Sequence, residues 1–298
     1  MRTTSTYPER VLPALDRVAG RFTTLLDSLP DPAAPVPGSA WSVRDAAAHV
    51  ATVVPRYADG PEGRGAWTED PRGLAAINEE QLRAFGTADL GELAARVRRD
   101  LVALVAQVRA YGEQPPTFRF HGGERVRPDT ALGILLGELV VHGWDVARAA
   151  RRPWPVEPAD AELILEGCEP ILAGWVDRDR ARGHTATYAL RLRGQGTHRW
   201  AFHDGRLEVE VAGRPDVWIS AEPATILLVF TSASRSGRRS PAAACSPGAA
   251  APGWPSPWPA ASTSPEPGPR RRPGGATSAR GRRPRSGPGC WPAPGGWR

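Results

Sequence analysis

The feature that most constrains the fold is residues 129–150, a stretch of helical spacing in which apolar side chains occupy nearly every side. A helix that is apolar all round has no face for water and must lie inside a protein core. Three further stretches repeat apolar residues at three- and four-residue steps and predict amphipathic helices over residues 8–29, 42–54 and 90–111. Together they predict a mainly α protein built on a four-helix bundle over residues 5–153.

Local signals indicate where several elements begin and end. Ser42 and Asp45 have the spacing of a capping box at the start of the second helix, and Pro55 predicts that helix's end. Asp129 is expected to cap the apolar helix. Between the long helices we expect a short helix over residues 78–85 and a hairpin through Gly122-Gly123.

After Pro155 the pattern changes to shorter segments that predict a small α+β domain over residues 156–230. One helix is expected over residues 160–182, and Asp204-Gly205 has the composition of a hairpin turn. The expected strands and final helix are residues 185–193, 199–203, 207–211, 217–220 and 223–230.

The composition changes abruptly after Phe230, since residues 231–298 contain no Leu, Ile, Val, Met, Phe or Tyr. Such a segment buries too little apolar surface to offset its ordering entropy, so we expect a disordered tail. The change falls inside a helical pattern that has no stop signal. This favours out-of-frame translation, with an incomplete α+β domain before it, over a natural Pro/Arg-rich arm or an interaction tail.

The net positive charge of the chain comes from this tail, which holds 11 of the 38 basic residues but only one of the 32 acidic residues. Residues 1–230 therefore carry a net charge of −4, and the basic pI is poor evidence for a nucleic-acid partner. The sequence shows no secretory signal, no apolar run of membrane-spanning length and three widely spaced cysteines. We expect a cytoplasmic protein without a membrane or nucleic-acid partner, and of unspecified oligomeric state.

One line of ionisable residues crosses the apolar helix. Glu138 and His142 are four residues apart, hence neighbours on one face, and Asp145 follows three residues later. A carboxylate among Leu, Val and Ile needs either a hydrogen-bonding partner or a cation. His49, among alanines and valines on the second helix, offers a third ligand. Two histidines and one carboxylate suit zinc with an open fourth position, and they also suit iron or nickel.

The residues alone leave a second interpretation open, since a Glu/His pair at helical spacing is also typical of a hydrogen bond inside a core. The spacing is not that of the His-Glu-x-x-His zinc proteases. The remaining histidines and one cysteine are predicted to be surface or packing residues: His121, His184, His198, His203 and Cys168.

Two segments resemble the mycothiol-dependent maleylpyruvate isomerase family of actinobacteria, within the DinB-like superfamily. They are Trp41-Ser-Val-Arg-Asp-Ala-Ala-Ala-His49-Val and Gly137-Glu138-Leu-Val-Val-His142-Gly-Trp-Asp145-Val-Ala-Arg-Ala, the latter followed by Arg151-Arg-Pro-Trp. The resemblance covers roughly residues 5–155. Residues 156–230 look like the family's smaller C-terminal domain, which is similar to sterol-carrier folds.

The resemblance implies that His49, Glu138 and His142 bind zinc, and that mycothiol or another low-molecular-weight thiol is the co-substrate. In the family's isomerase the thiolate adds to the cis double bond of maleylpyruvate, and rotation and elimination then give fumarylpyruvate. Relatives transfer the thiol to other electrophiles. The expected function is therefore a metal-dependent, thiol-using isomerase or S-transferase, and the alternative is a non-catalytic metal-binding DinB-like module.

Two further residues on the apolar helix are candidates for supporting roles. Asp145 is predicted to orient a ligand histidine from behind. Arg148, one turn further along, is predicted to meet a substrate carboxylate, with a surface salt bridge as the alternative. The family's sequence after the position of Phe230, which helps to close its active site, has no counterpart in residues 231–298.

Overall fold

The computed structural model describes residues 6–86, 89–112 and 114–230. Four long helices pack side by side as the predicted bundle, with α1 against α4 and α5, and α2 against the same two helices. A shorter helix, α3, lies beside α2. The helices are α1 Tyr7–Asp27, α2 Val43–Asp59, α3 Leu74–Ala84, α4 Leu90–Ala110 and α5 Pro128–Ala149.

Helix α5 is the central element of the bundle, as its apolar sequence predicts. Within the described residues it is the helix long and apolar enough to cross a membrane, but 78% of its most apolar window is buried inside the protein. Burial by α1, α2 and the following helix accounts for its composition, so α5 is a core helix.

The capping box at the start of α2 is confirmed, but the predicted end of this helix is wrong. Ser42 Oγ accepts a hydrogen bond from the Asp45 backbone N–H, and the Ser42 N–H donates to the Asp45 carboxylate. The helix then continues past Pro55 to Asp59. A proline removes only one bond of the helical ladder, and the burial of Arg56 and Tyr57 beyond it holds the chain in register.

The start of α5 also differs from the prediction. Arg127 occupies the cap position and Pro128 the first helical position, where the missing N–H of proline is harmless. Asp129 lies inside the first turn and pairs with the Arg127 guanidinium through two hydrogen bonds. The hairpin before α5 is confirmed as strands β1 Phe118–Arg119 and β2 Arg125–Val126, joined through Gly122 and Gly123 at positive φ.

The expected helix over residues 160–182 is broken into shorter pieces: α6 Pro158–Cys168, a 3₁₀ turn Glu169–Ile171, α7 Leu172–Trp175 and α8 Arg178–Ala181. Pro170 cannot donate to the preceding turn, so the α-helical ladder stops there. Val176 has an extended backbone, and the Asp177 carboxylate then caps α8 by accepting from the Arg180 N–H.

The four expected strands and the final helix are present. The strands are β3 Ala186–Leu192, β4 Thr197–His203, β5 Arg206–Val209 and β6 Val217–Ala221, and the helix is α9 Pro223–Phe230. The sheet order is β5-β4-β3-β6, antiparallel except for the parallel pair β3 and β6. Asp204 and Gly205 both have positive φ in the turn between β4 and β5, as the hairpin signal predicts.

Helix α6 connects the bundle to the sheet. Its Leu163 and Ile164 belong to the bundle core, whereas Leu165 packs in a second cluster with Leu190 and Trp200 of the sheet. The placement of a domain boundary between residues 153 and 156 stays a prediction. The tail predicted for residues 231–298 lies outside the described residues.

Candidate metal centre

Helices α2 and α5 bring the three predicted ligands together in the bundle core. Glu138 Oε2 lies 3.4 Å from His49 Nε2 and 3.3 Å from His142 Nε2. Both imidazoles are buried, and the Glu138 side chain is 10% exposed. One potential ligand atom from each residue lies within 4.8 Å of the others, which is close enough for the three to share a cation.

The polar atoms of this cluster are poorly satisfied. Across the described ranges, neither ring nitrogen of His49 nor Glu138 Oε2 forms a hydrogen bond, although these atoms are buried. Buried polar atoms nearly always have a partner, and an unsatisfied one costs about 1–3 kcal/mol. Two imidazole nitrogens and a carboxylate oxygen suit a zinc ion with an open fourth position, so the residues fit a metal.

The protonation states of His49 and Glu138 also fit a cation. Burial lowers the pKa of His49 to about 4, so its imidazole is neutral at pH 7 and can offer a lone pair. Burial alone would raise the pKa of Glu138, but the adjacent His142 and His49 lower it to about 2. The cluster therefore holds an ionised carboxylate beside a neutral imidazole, the state in which such ligands bind divalent metals.

Trp41 covers the two imidazoles. Its ring centroid lies 5.0 Å from that of His49 and 5.8 Å from that of His142, and the two histidine rings are 4.8 Å apart. The indole thereby separates the cluster from solvent on one side. Trp41 opens the first of the two family-like segments, but its contact with both histidines was not predicted.

A small pocket adjoins the cluster. His49 and Glu138 line it, together with Arg56 and Tyr57 of α2 and His121 of the hairpin. Trp175 of α7 also lines the pocket, and its indole N–H donates to the His121 carbonyl at 3.0 Å. The bundle, the hairpin and α7 therefore enclose the space in front of the candidate ligands.

Sequence reasoning missed two pocket residues. Arg56 follows His49 by seven residues, two helical turns along the same face of α2, and that spacing was a usable signal. His121 was predicted to be a surface or packing residue; it is 2% exposed and lines the pocket. Its position depends on the β1–β2 hairpin folding onto α2, which no local pattern indicates.

The comparison with known families supports this reading of the bundle. The sequence model of the mycothiol maleylpyruvate isomerase N-terminal domain matches residues 15–147, which include all three predicted ligands. The helical bundle belongs to this family. The match confirms the resemblance drawn from the two sequence segments.

Two solved structures of the mycothiol-dependent maleylpyruvate isomerase are similar to the chain. One, of a point mutant, is 14% identical with a TM-score of 0.48, and the alignment covers 78% of this chain and 93% of that one. The other is 15% identical with a TM-score of 0.46, covering 76% and 91%. No curated protein matches the chain.

The two supporting residues proposed from the sequence are placed differently in this mycothiol maleylpyruvate isomerase domain. Asp145 Oδ2 lies 4.0 Å from His142 Nδ1, on the side of the ring away from Glu138. Arg148 stacks its guanidinium on the Trp144 ring at 4.2 Å and is not among the described residues that line the pocket. Their roles in orienting a ligand and meeting a substrate stay predictions.

A second cluster of ionisable groups lies outside the bundle. His198 of β4 is buried, with Nδ1 2.8 Å from Glu169 Oε1 and Nε2 3.5 Å from Glu162 Oε2. The Trp200 indole N–H donates to the same Glu169 oxygen at 3.0 Å. This cluster joins the sheet to α6. Cys168 is buried as predicted, and burial raises its thiol pKa, so the thiol stays protonated.

Proposed function

We propose that the chain is a metal-dependent enzyme that uses a low-molecular-weight thiol, and acts as an isomerase or an S-transferase. The observation that carries the proposal is a buried His-Glu-His cluster with unsatisfied atoms, opening on a pocket inside a mycothiol maleylpyruvate isomerase domain. The family name supports mycothiol as the thiol. Dependence on a reduced thiol favours a cytoplasmic location.

We assign the metal as zinc, held by His49, Glu138 and His142. Zinc accepts this ligand set and leaves one position open. When bound, the metal would favour the thiolate form of a small-molecule thiol over the thiol form. A thiolate is the nucleophilic form of sulfur, so the site would supply the attacking group at neutral pH.

The residues of the chain prepare the pocket for a small electrophile. Trp41 shields the ligand imidazoles from water, and Tyr57, Phe120 and Trp175 give the pocket apolar walls. In the isomerase reaction, sulfur would bond to one alkene carbon while the π electrons move to a conjugated carbonyl. Rotation about the new single bond, return of those electrons and departure of the thiolate would give the trans alkene. In an S-transfer, the carbon–sulfur bond would persist.

The metal is tested by elemental mass spectrometry on the purified full chain, its His49→Ala variant and a His203→Ala control. His203 is an exposed histidine on the sheet, with a side chain 59% exposed. We expect about one zinc per chain in the wild type and the control, and loss of zinc in His49→Ala, because a two-ligand site is far weaker. A well-folded wild type that takes up no added zinc would make Glu138 and the histidines a core cluster without metal.

The reaction is tested on the zinc-loaded chain with maleylpyruvate and with other electrophiles, each with and without mycothiol. We expect a thiol-dependent change: isomerisation without net loss of thiol, or an S-transfer that consumes one thiol per product. Zinc-loaded protein that gives neither reaction with any electrophile would support the non-catalytic metal-binding module instead.

A further inference from the structure

Arg56 is a buried cation, and no carboxylate of the described residues lies within ion-pair distance of it. It is 6% exposed and lines the same pocket as His49 and Glu138. Its Nη2 donates to Asn78 Oδ1 at 3.1 Å and to Gln81 Oε1, both on α3. Within residues 6–86, 89–112 and 114–230 it forms no ion pair, and its Nε has no hydrogen-bond partner. Glu138 attracts the guanidinium electrostatically from the same pocket, but a buried charge that is not paired directly with a counter-ion is rare and costly.

The contacts of His121 leave further donors without an acceptor. The backbone N–H of Thr68 points at His121 Nδ1 from 3.2 Å, and Arg56 Nη1 lies 3.3 Å from His121 Nε2. Both partners are pure donors, whereas a neutral imidazole has a single acceptor nitrogen. Burial lowers the pKa of His121 to about 3, so the ring is neutral. One of the two contacts must therefore bring a donor against a donor.

The Thr68 N–H is held by the backbone and meets the geometry of a hydrogen bond to His121 Nδ1, so we assign this contact as the hydrogen bond. If His121 Nδ1 accepts from Thr68, its proton resides on Nε2 and faces Arg56 Nη1. Arg56 Nη1 and His121 Nε2–H are then two adjacent donors at the pocket, each needing an acceptor. An anion placed between them would accept from both, and would neutralise the buried guanidinium.

We infer that Arg56 and His121 form an anion-binding subsite that takes a carboxylate of the small-molecule substrate beside the proposed metal centre. Only the identity of the carboxylate as part of a substrate rests on the proposed function. The binding of a small carboxylate follows from Arg56 and His121 themselves, with or without metal.

A purely structural role for Arg56 accounts for only part of these contacts. Such a role would link α2 to α3 through Asn78 and Gln81, and both of those bonds use Nη2. That role does not account for Arg56 Nε, which has no hydrogen-bond partner among the described residues, or for Nη1, which faces His121. Glu138 is the other charged residue among those lining the pocket, but its Oε2 faces the imidazoles of the candidate metal centre. The hydrogen-bond acceptor for Arg56 Nε and Nη1 is therefore expected to belong to a bound molecule rather than to the described residues.

The test measures binding of succinate to the metal-free full chain by calorimetry. Metal is removed because a carboxylate also binds zinc directly. The proteins are the wild type, Arg56→Gln and an Arg64→Gln control, since Arg64 is exposed and pairs with Asp59 on the surface. We expect Arg56→Gln to weaken succinate binding about ten- to hundredfold, as loss of a charge-assisted hydrogen bond does, and Arg64→Gln to leave it unchanged. Dimethyl succinate, which is neutral, should not bind.

A second measurement keeps the inference testable where Arg56→Gln does not fold. The wild type alone is heated with succinate, with dimethyl succinate, and with sodium chloride at matched ionic strength. A rise in Tm with succinate only supports the subsite. Absence of succinate binding to folded wild type, or equal binding by folded Arg56→Gln, overturns it. Zinc binding without succinate binding refutes the subsite alone, whereas succinate binding without zinc refutes the metal centre alone.

Discussion

At the residue scale, the clustering of the three candidate ligands was predictable from the sequence, and their surroundings were not. Glu138 and His142 can be identified from the sequence because two ionisable residues four positions apart are unusual on an otherwise apolar helix. His49 required the further assumption that α2 packs against α5. Trp41 and Arg56 gave weaker signals, since an aromatic before a cap and an arginine after a proline are both common on surfaces. Their roles come from packing over long sequence separations.

Glu138→Gln separates a metal site from a structural hydrogen-bonded pair. The amide keeps the shape of the side chain and removes its charge, so zinc affinity should fall by at least about tenfold. Without metal, the free energy of unfolding should fall, because His142 and His49 lower the pKa of Glu138 and the folded state therefore favours the charged carboxylate over a neutral side chain. Competition with a chromophoric chelator and urea unfolding in EDTA measure the two quantities. Zinc affinity equal to that of the wild type would instead indicate a structural pair that has no part in metal binding.

At the scale of elements, the sequence predicted which segments are helices or strands better than where they stop. Pro55 does not end α2, because buried residues on both sides of it keep the helix in register. Pro170, in contrast, does interrupt the helix predicted over residues 160–182. The same residue type has opposite outcomes because the packing around it decides whether a lost backbone bond is tolerated.

The contact between α5 and α6 depends on glycine at position 133. A Cβ built there would lie 1.8 Å from the Tyr7 hydroxyl and 2.8 Å from the Leu163 carbonyl, and the latter is backbone that cannot easily move. Gly133→Ala should therefore cost about 1–3 kcal/mol through overpacking. Gly20→Ala on α1 is the matched control, since nothing lies within 4 Å of its Cβ. That substitution should stabilise by about 0.5–1 kcal/mol, and equal effects of the two changes in urea unfolding would contradict the close helix contact.

The link between the sheet and α6 should depend on pH through His198. Burial alone would lower the pKa of His198, but Glu162 and Glu169 raise it from 6.5 to about 9. Its stabilising contribution is therefore complete below pH 6.5 and is lost as pH rises from 6.5 through 9, a change of up to about 3 kcal/mol.

Urea unfolding of the wild type and His198→Gln between pH 6 and 9 tests this link. The difference in unfolding free energy between the two proteins should be largest at pH 6 and shrink toward pH 9. His203→Gln, an exposed control, should follow the wild type. A difference that does not change with pH would show that His198 contributes by packing rather than by charge.

At the scale of the whole molecule, the sequence predicted a bundle followed by a smaller α+β unit, but not how the two are joined. They are joined through α6 and α9, and each of these helices has neighbouring side chains that enter two different cores. Periodicity cannot distinguish these two faces, because both are apolar. The same limit applies to the pocket, whose walls come from α2, the hairpin and α7. Local patterns identify elements, whereas the site depends on how distant elements meet.

Sharing α6 should make the bundle and the sheet unfold together. Ile164 is 1% exposed in the bundle core, Leu165 is 4% exposed in the sheet core, and one helical ladder holds both. Loss of either core would leave α6 with an apolar face in water, so the intermediate with one folded unit should be unstable.

In calorimetry the metal-free chain should give one transition with equal calorimetric and van't Hoff enthalpies. Ile164→Ala should lower Tm without splitting the peak, since it removes apolar contacts worth about 2–5 kcal/mol. Two resolved transitions, of which Ile164→Ala moves only one, would instead establish two independent domains and place a boundary near residue 155.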